Sequence, residues 1–168
     1  MKIRKPALLL AFIAGMFTLN ACTKEKGTSI TGTLSATVDG TTINFANVVA
    51  VKAVVDNQSF TNIQGTNNKD TLSITLPGNI TSGKTYTSTA ANDDDKALLL
   101  YSGKDDDYFN DDSDDTKIVT VNITSASGNV YQGTFKGNLT NTIVIGGGGS
   151  GTAKYKVVTN GKFDVKVN

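Results

Sequence analysis

Val130-Tyr131-Gln132-Gly133-Thr134-Phe135-Lys136-Gly137-Asn138-Leu139 sets Tyr131, Gly133, Phe135, Gly137 and Leu139 on one side of an extended chain. Gln132, Thr134 and Lys136 fall on the other. Successive side chains of a strand point to opposite faces, so this period of two predicts a half-buried β-strand. Gly133 and Gly137, both on the core-facing side, permit a bend.

The same period extends outward from this stretch. Val119, Val121 and Ile123 alternate with Thr120, Asn122 and Thr124. Downstream, Tyr155 and Val157 lead into Asn160-Gly161, followed by Phe163, Val165 and Val167 with Lys162, Asp164 and Lys166 opposite. Asn-Gly tolerates positive φ, and this pair predicts a two-residue hairpin turn. Upstream, Leu34, Ala36 and Val38 precede Asp39-Gly40, a second hairpin signal, and Ile43 and Phe45 follow it. Val48 to Val55 is nearly continuous apolar sequence and predicts a central strand covered on both faces. Asp56-Asn57 then turns the chain towards Phe60 and Ile63. Leu72, Ile74 and Leu76 end at Pro77-Gly78, a turn pair. Shorter strands are expected around Tyr86 (83–88) and from Ala97 to Tyr101. No stretch after residue 29 sustains a 3.6 period. Nine or ten short strands at hairpin spacing predict an all-β fold, an antiparallel β-sandwich, with a lipocalin-like β-barrel as the alternative.

The amino-terminal residues follow a different logic. Lys2, Arg4 and Lys5 precede the apolar run Ala7 to Leu19, and small residues lead to Cys22. About 13 apolar residues make a helix of roughly 20 Å, short of the roughly 30 Å hydrocarbon core of a bilayer. A basic, then apolar, then small-residue order is that of a cleaved secretory signal, expected over residues 1–21. Leu19-Asn20-Ala21-Cys22 resembles the lipobox of bacterial lipoproteins. The resemblance implies cleavage before Cys22, acylation of Cys22 and a membrane partner. Residues 22–29 would then be the lipidated cysteine and a polar tether, and residues 30–168 a single β-domain. Several acyl chains together hold a protein stably on a membrane, where one chain does so only marginally. Location in the cell envelope, at the outer membrane, follows as an expectation, with the periplasmic or surface face left open.

Composition narrows the chemistry. The 168 residues include no histidine, no tryptophan and one cysteine. Without histidine there is no Ser-His-Asp or Cys-His catalysis and none of the usual zinc sites. Glu25 is the only glutamate, so a two-carboxylate glycosidase would rest on aspartates alone. With Cys22 spent on the anchor, no disulfide holds the domain. Net charge near zero and the lack of a basic stripe give no footprint for nucleic acid. No enzyme is expected. Gly146 to Gly151 lacks the Lys-Ser/Thr ending of a phosphate loop and reads as a flexible hairpin loop.

The run 130–135, the Thr-rich strand before it and Val157-Val158-Thr159-Asn160-Gly161-Lys162-Phe163-Asp164-Val165 resemble the carboxy-terminal half of small envelope lipoprotein domains of unknown function in Bacteroidota. Those recur as a G-T-F strand, a variable loop and a T-N-G-x-F hairpin. The resemblance implies a β-domain in the envelope and transfers no activity.

Ten of the 15 acids lie between Asp93 and Asp115, a segment read as an acidic loop. Calcium takes six to eight oxygens, and Asp105, Asp107, Asp111, Asp112 and Asp114 are the candidate ligands. The spacing is not that of an EF-hand, since Tyr108-Phe109 interrupts it and no glycine supplies the sharp turn. Simple solvation is the commoner fate of such runs. Tyr101, Tyr108 and Phe109 frame the segment and raise a second reading, a sugar patch in which rings stack and carboxylates accept hydroxyl protons. The alternative is that Tyr108-Phe109 tucks the loop onto the body. A third reading sets the acids against the lysines of the last hairpin (Lys154, Lys156, Lys162, Lys166), between copies or, more simply, within one chain. The functional expectation is a non-enzymatic, membrane-anchored binding or interaction domain whose partner is an envelope protein or a glycan. A calcium- or glycan-binding accessory module is the alternative, and an Asp-based hydrolase ranks last.

Overall fold

Asp39 and Gly40 both have positive φ, +47° and +81°, and close a two-residue turn between β1 (Gly32–Val38) and β2 (Thr41–Phe45). Asp56 and Asn57, at +50° and +62°, do the same between β3 (Asn47–Val55) and β4 (Gln58–Thr66). These backbone angles match the right-handed twist of the flanking strands, so each pair sets a hairpin register. The structure, a computed structural model, describes residues 32–104, 106–110, 118–141 and 154–167. The expected signal sequence, Cys22, the tether, the glycine loop and Asp105, Asp111, Asp112, Asp114 and Asp115 lie outside the described residues.

The chain continues through β5 (Thr71–Pro77), β6 (Thr85–Thr87), a single 3₁₀ turn at Asp93–Asp95, β7 (Leu98–Ser102) and β8 (Asp107–Phe109). It ends with β9 (Thr120–Ser127), β10 (Val130–Thr140) and β11 (Tyr155–Lys166). Neighbours run in the order β2, β1, β11, β10, β8, β7, β5, β4, β3, and every strand pair is antiparallel. β9 lies beside the first half of β10 and carries β6 on its other edge.

Closure comes from one bend. Only Ala46 separates β2 from β3, which stand at opposite ends of that strand order. The stretch 41–55 is therefore one extended run. It pairs with β1 before the bend and with β4 after it, and the Ala46 N–H donates to the Thr66 carbonyl at 3.1 Å. The sheet is nearly closed and barrel-like. The all-β antiparallel expectation holds, and the single continuous sheet takes the barrel-like form that stood as the alternative to separate layers.

Residues from all eleven strands fill the interior: Leu34, Ala36, Ile63, Leu72, Ile74, Leu76, Tyr86, Leu99, Val121, Phe135, Leu139 and Val158 are among the buried set. Burying a side chain of this size is worth about 1.5–3 kcal/mol, the main favourable contribution in a domain with no disulfide. β10 keeps the pattern predicted for it, with Tyr131, Gly133, Phe135, Gly137 and Leu139 all buried.

Two expectations are corrected. Asn160-Gly161 is not a hairpin turn, because β11 runs unbroken through it. Asn160 has φ +51°, and the register against both β10 and β1 shifts there, which is a β-bulge. Positive φ serves a bulge as well as a turn. The second concerns β3, which is no central strand covered on both faces. Val48 and Ala50 are buried, but Lys52 and Val54 on the same side are exposed because the hairpin outruns the core.

The acidic end of the barrel

The strand directions gather four connections at one end. They are the β1–β2 turn at Asp39-Gly40, the β4–β5 turn ending at Asp70, the β7–β8 turn containing Asp106, and the start of β11 at Lys154 and Lys156. Each Asp there accepts hydrogen bonds from this same chain. Asp39 Oδ2 takes one from Lys156 Nζ at 2.6 Å, and its Oδ1 takes one from the Val157 N–H at 2.9 Å. Asp106 Oδ2 takes one from Lys154 Nζ at 2.6 Å. Asp70 Oδ1 takes one from the Tyr101 hydroxyl at 2.6 Å, and Asp107 takes one from the Ser102 hydroxyl.

The turns themselves are locally specified. Asn67 Oδ1 accepts from the N–H groups of Lys69 and Asp70, both at 2.8 Å, which holds the β4–β5 turn in the side-chain-closed form asparagine favours. Lys156 also lies over the Tyr108 ring, 5.5 Å from its centroid, and Tyr108 packs against Tyr101 with centroids 6.3 Å apart.

These contacts move the titrations. Partial burial would raise Asp39, but the hydrogen bonds from Lys156 and Val157 outweigh it and hold the carboxyl below its ordinary value. The hydrogen bond to Asp39 raises Lys156 against the opposing effect of desolvation. Lys154, through its hydrogen bond, lowers Asp106. Burial, then the bond to Asp70, pushes the Tyr101 phenol well above its usual range.

A second, smaller charge group flanks β6. Asn92 caps the 3₁₀ turn by accepting from the Asp94 N–H at 3.1 Å. Asp93 pairs with Lys96 at 3.4 Å and Asp95 with Lys84 at 2.8 Å. The Asp95 hydrogen bond raises Lys84, whose ammonium sits 4.7 Å from the centroid of the buried Tyr86 ring.

The segment 93–115 is thus not one loop over its described part. It supplies a turn, β7 and β8. Of the five candidate calcium ligands, Asp107 alone lies among the described residues, and it is engaged with Ser102. Among the described residues no three acidic, histidine or cysteine side chains converge as a metal site would require. Tyr101 and Tyr108, each 6% exposed, offer no open ring face to a sugar, and Phe109 is half-buried. Tyr108 packs onto the body, as the simpler reading of that pair has it. Of the lysines set against these acids, Lys154, just before β11, meets Asp106, while Lys156 meets Asp39 outside the segment, both within one chain.

Sequence reading takes Asp39 as one half of a turn pair and does not bring it or Asp70 together with the lysines of this end. Each is a lone acid in a turn, and 117 residues separate Asp39 from Lys156. Only the pairing of β1 with β11 joins them. No protein-family model, curated protein or solved structure matches this chain.

Proposed function

We propose that this chain is a lipid-anchored protein of the bacterial envelope. It is a non-enzymatic β-domain held at the outer membrane through Cys22, and its acidic end faces away from the lipid to bind an envelope protein or a glycan. The observation that carries the reading is directional. β1 begins at Gly32 at one end of the barrel, and Asp39, Asp70, Asp106 and Asp107 stand at the other. A tether from Cys22 to Gly32 has ten residue steps and reaches at most about 36 Å, which keeps the domain close to the bilayer, with the acidic end opposite the point where the tether joins β1.

The basic, apolar and small-residue order of residues 1–21 and the lipobox-like Leu19-Asn20-Ala21-Cys22 support the anchor. The resemblance of the G-T-F and T-N-G-x-F stretches to Bacteroidota envelope domains agrees with it. An end crossed by ion pairs, with every described Asp already accepting a hydrogen bond, suits a polar partner that exchanges these contacts for its own.

Replacing Cys22 tests the reading. The Cys22→Ala chain should lose fatty-acid labelling and leave the membrane fraction while keeping its strand circular dichroism. Labelling that survives the substitution would refute the anchor.

A further inference from the structure

Thr61 breaks the rule that buried polar groups find partners. The residue is 1% exposed, and its Oγ1 is the one fully enclosed side-chain polar atom without a hydrogen bond among the described residues. It shares the inner face of β4 with Ile63 and stands between Lys52 of β3 and Leu76 of β5 in the two ladders. Residues directly opposite in a ladder hold their Cβ atoms about 4.5–5.5 Å apart on one face, so Lys52 is the polar neighbour of this hydroxyl.

Lys52 is uncommitted as well. No acid pairs with it among the described residues. Its ammonium crosses the end of the barrel and lies 5.6 Å from the centroid of the Tyr131 ring on β10. Tyr131 is buried, and its hydroxyl joins none of the side-chain hydrogen bonds among the described residues. Since that oxygen is not fully enclosed either, it opens to water. The other lysine beside a buried phenol at this end, Lys84 over Tyr86, is already paired with Asp95 at 2.8 Å. Three polar groups without partners therefore meet at the mouth opposite the acidic end, joined by one ladder pair and one cation–ring contact.

We propose that this mouth binds a small monocarboxylate with a short alkyl chain, through Lys52, Thr61 and Tyr131. The site rests neither on the anchor nor on the acidic end. Carboxylate oxygens only accept, and they match an ammonium and two hydroxyl donors. One uncommitted cation suits one negative charge. Val54, two positions beyond Lys52 on the same face, is 72% exposed and gives an alkyl chain its apolar contact. The chain must be short, because Ala50, Ile63 and Leu76 already fill the barrel beside Thr61. Lys52 is exposed and its four-carbon stem is flexible, so lifting it from the Tyr131 ring opens the way to Thr61. The mouths of β-barrels are favoured places for small-molecule sites. The unpartnered hydroxyl weakens the free domain and gains its partner from the ligand, a trade of stability for binding.

Calorimetric titration of the full chain, purified from membranes in detergent, tests the proposal with hexanoate as the probe. The chain should bind hexanoate saturably, with a Kd on the order of millimolar, as suits so few atoms. Acetate, which lacks the alkyl chain, and hexanol, which lacks the charge, should both bind more weakly. Thr61→Val and Lys52→Gln should each weaken hexanoate by about tenfold, the effect of losing a hydrogen bond to a charged group, and Tyr131→Phe severalfold. Lys162→Gln, on an exposed position of β11, should leave the affinity unchanged. Matching circular dichroism establishes that each variant is folded. Thr61→Val is the decisive variant, since it should raise the thermal midpoint while lowering the affinity, a split that a structural role alone would not produce. Absence of saturable binding overturns the proposal. So does hexanoate affinity unchanged in Thr61→Val or Lys52→Gln, which would mark uptake elsewhere or into detergent, and so does hexanol binding as tightly as hexanoate.

Discussion

Gly161 lies against Phe135 across the β10–β11 pair, where a Cβ would stand 2.5 Å from the ring and 2.5 Å from the Phe135 carbonyl oxygen. Asn160 beside it holds the positive φ of the bulge. The two residues let a twelve-residue strand bend enough to pair with β10 on one edge and β1 on the other.

Gly161→Ala should therefore destabilise the domain by about 1–3 kcal/mol, the usual cost of forcing an extra carbon into a packed site. Asn160→Val should cost a similar amount through its backbone, about 1–3 kcal/mol, while Asn160→Gly should be nearly neutral. Urea unfolding midpoints of the three variants check this. A neutral Gly161→Ala would mean the bulge is not as close-packed as described.

Thr61 Oγ1 is buried on the inner face of β4 with no hydrogen-bond partner among the described residues. A buried polar atom without a partner costs about 1–3 kcal/mol, and valine has the same shape without it. Thr61→Val should raise stability by roughly 1 kcal/mol in the same unfolding measurement. A loss would show that the hydroxyl has a partner.

The pH profile should be flat through neutrality, since the chain has no histidine to titrate there. Asp39 is held below its unfolded value of about 3.9, so its contribution is present above that pH and disappears as the pH falls through the folded value. Lys156 is raised above its unfolded value of about 10.4, so its contribution is present below that pH and fades as the pH rises through the folded value. The pair is partly exposed and solvent-screened, which limits each limb to about 0.5–1 kcal/mol. Tyrosine absorbance should also show late-titrating components, since burial raises both Tyr101 and Tyr86, and Tyr101→Phe should remove one of them. Thermal midpoints from pH 3 to 11, on the order of one unit apart, check the two limbs.

Calcium in place of EDTA should leave the thermal midpoint unchanged. Asp39, Asp70, Asp106 and Asp107 already accept hydrogen bonds within the chain, and an ion would have to displace Lys156, Tyr101, Lys154 and Ser102 in turn to use them. A rise of several degrees, lost on changing Asp105, Asp107, Asp111 and Asp114 to Asn, would support the calcium reading, four of whose five candidate ligands lie outside the described residues.

The strands were legible because burial on one face leaves a period of two, as Tyr131 to Leu139 illustrates. Turn chemistry was legible only as positive φ. Asp39-Gly40 and Asp56-Asn57 use it to reverse the chain, and Asn160 uses it to bend a strand, a choice set by which strands lie alongside. β8 escaped notice because three residues, Asp107–Phe109, stand in a run of acids, where charge hides the pattern. Closure of the sheet depends on one bend at Ala46, a residue that marks nothing in sequence. The acidic end was illegible for the same reason, since its pairs join turns far apart in the chain. Val48 to Val55 misled because an apolar run looks the same whether it crosses a core or projects past it.

The proposed anchor at Cys22 is the centre of the account, and the intact mass of the amino-terminal peptide from membrane-purified protein tests it most directly. The account predicts a chain that begins at Cys22 and carries acyl groups on its sulfur and amino terminus. A chain that begins at Met1, or at an unmodified Cys22, would contradict it.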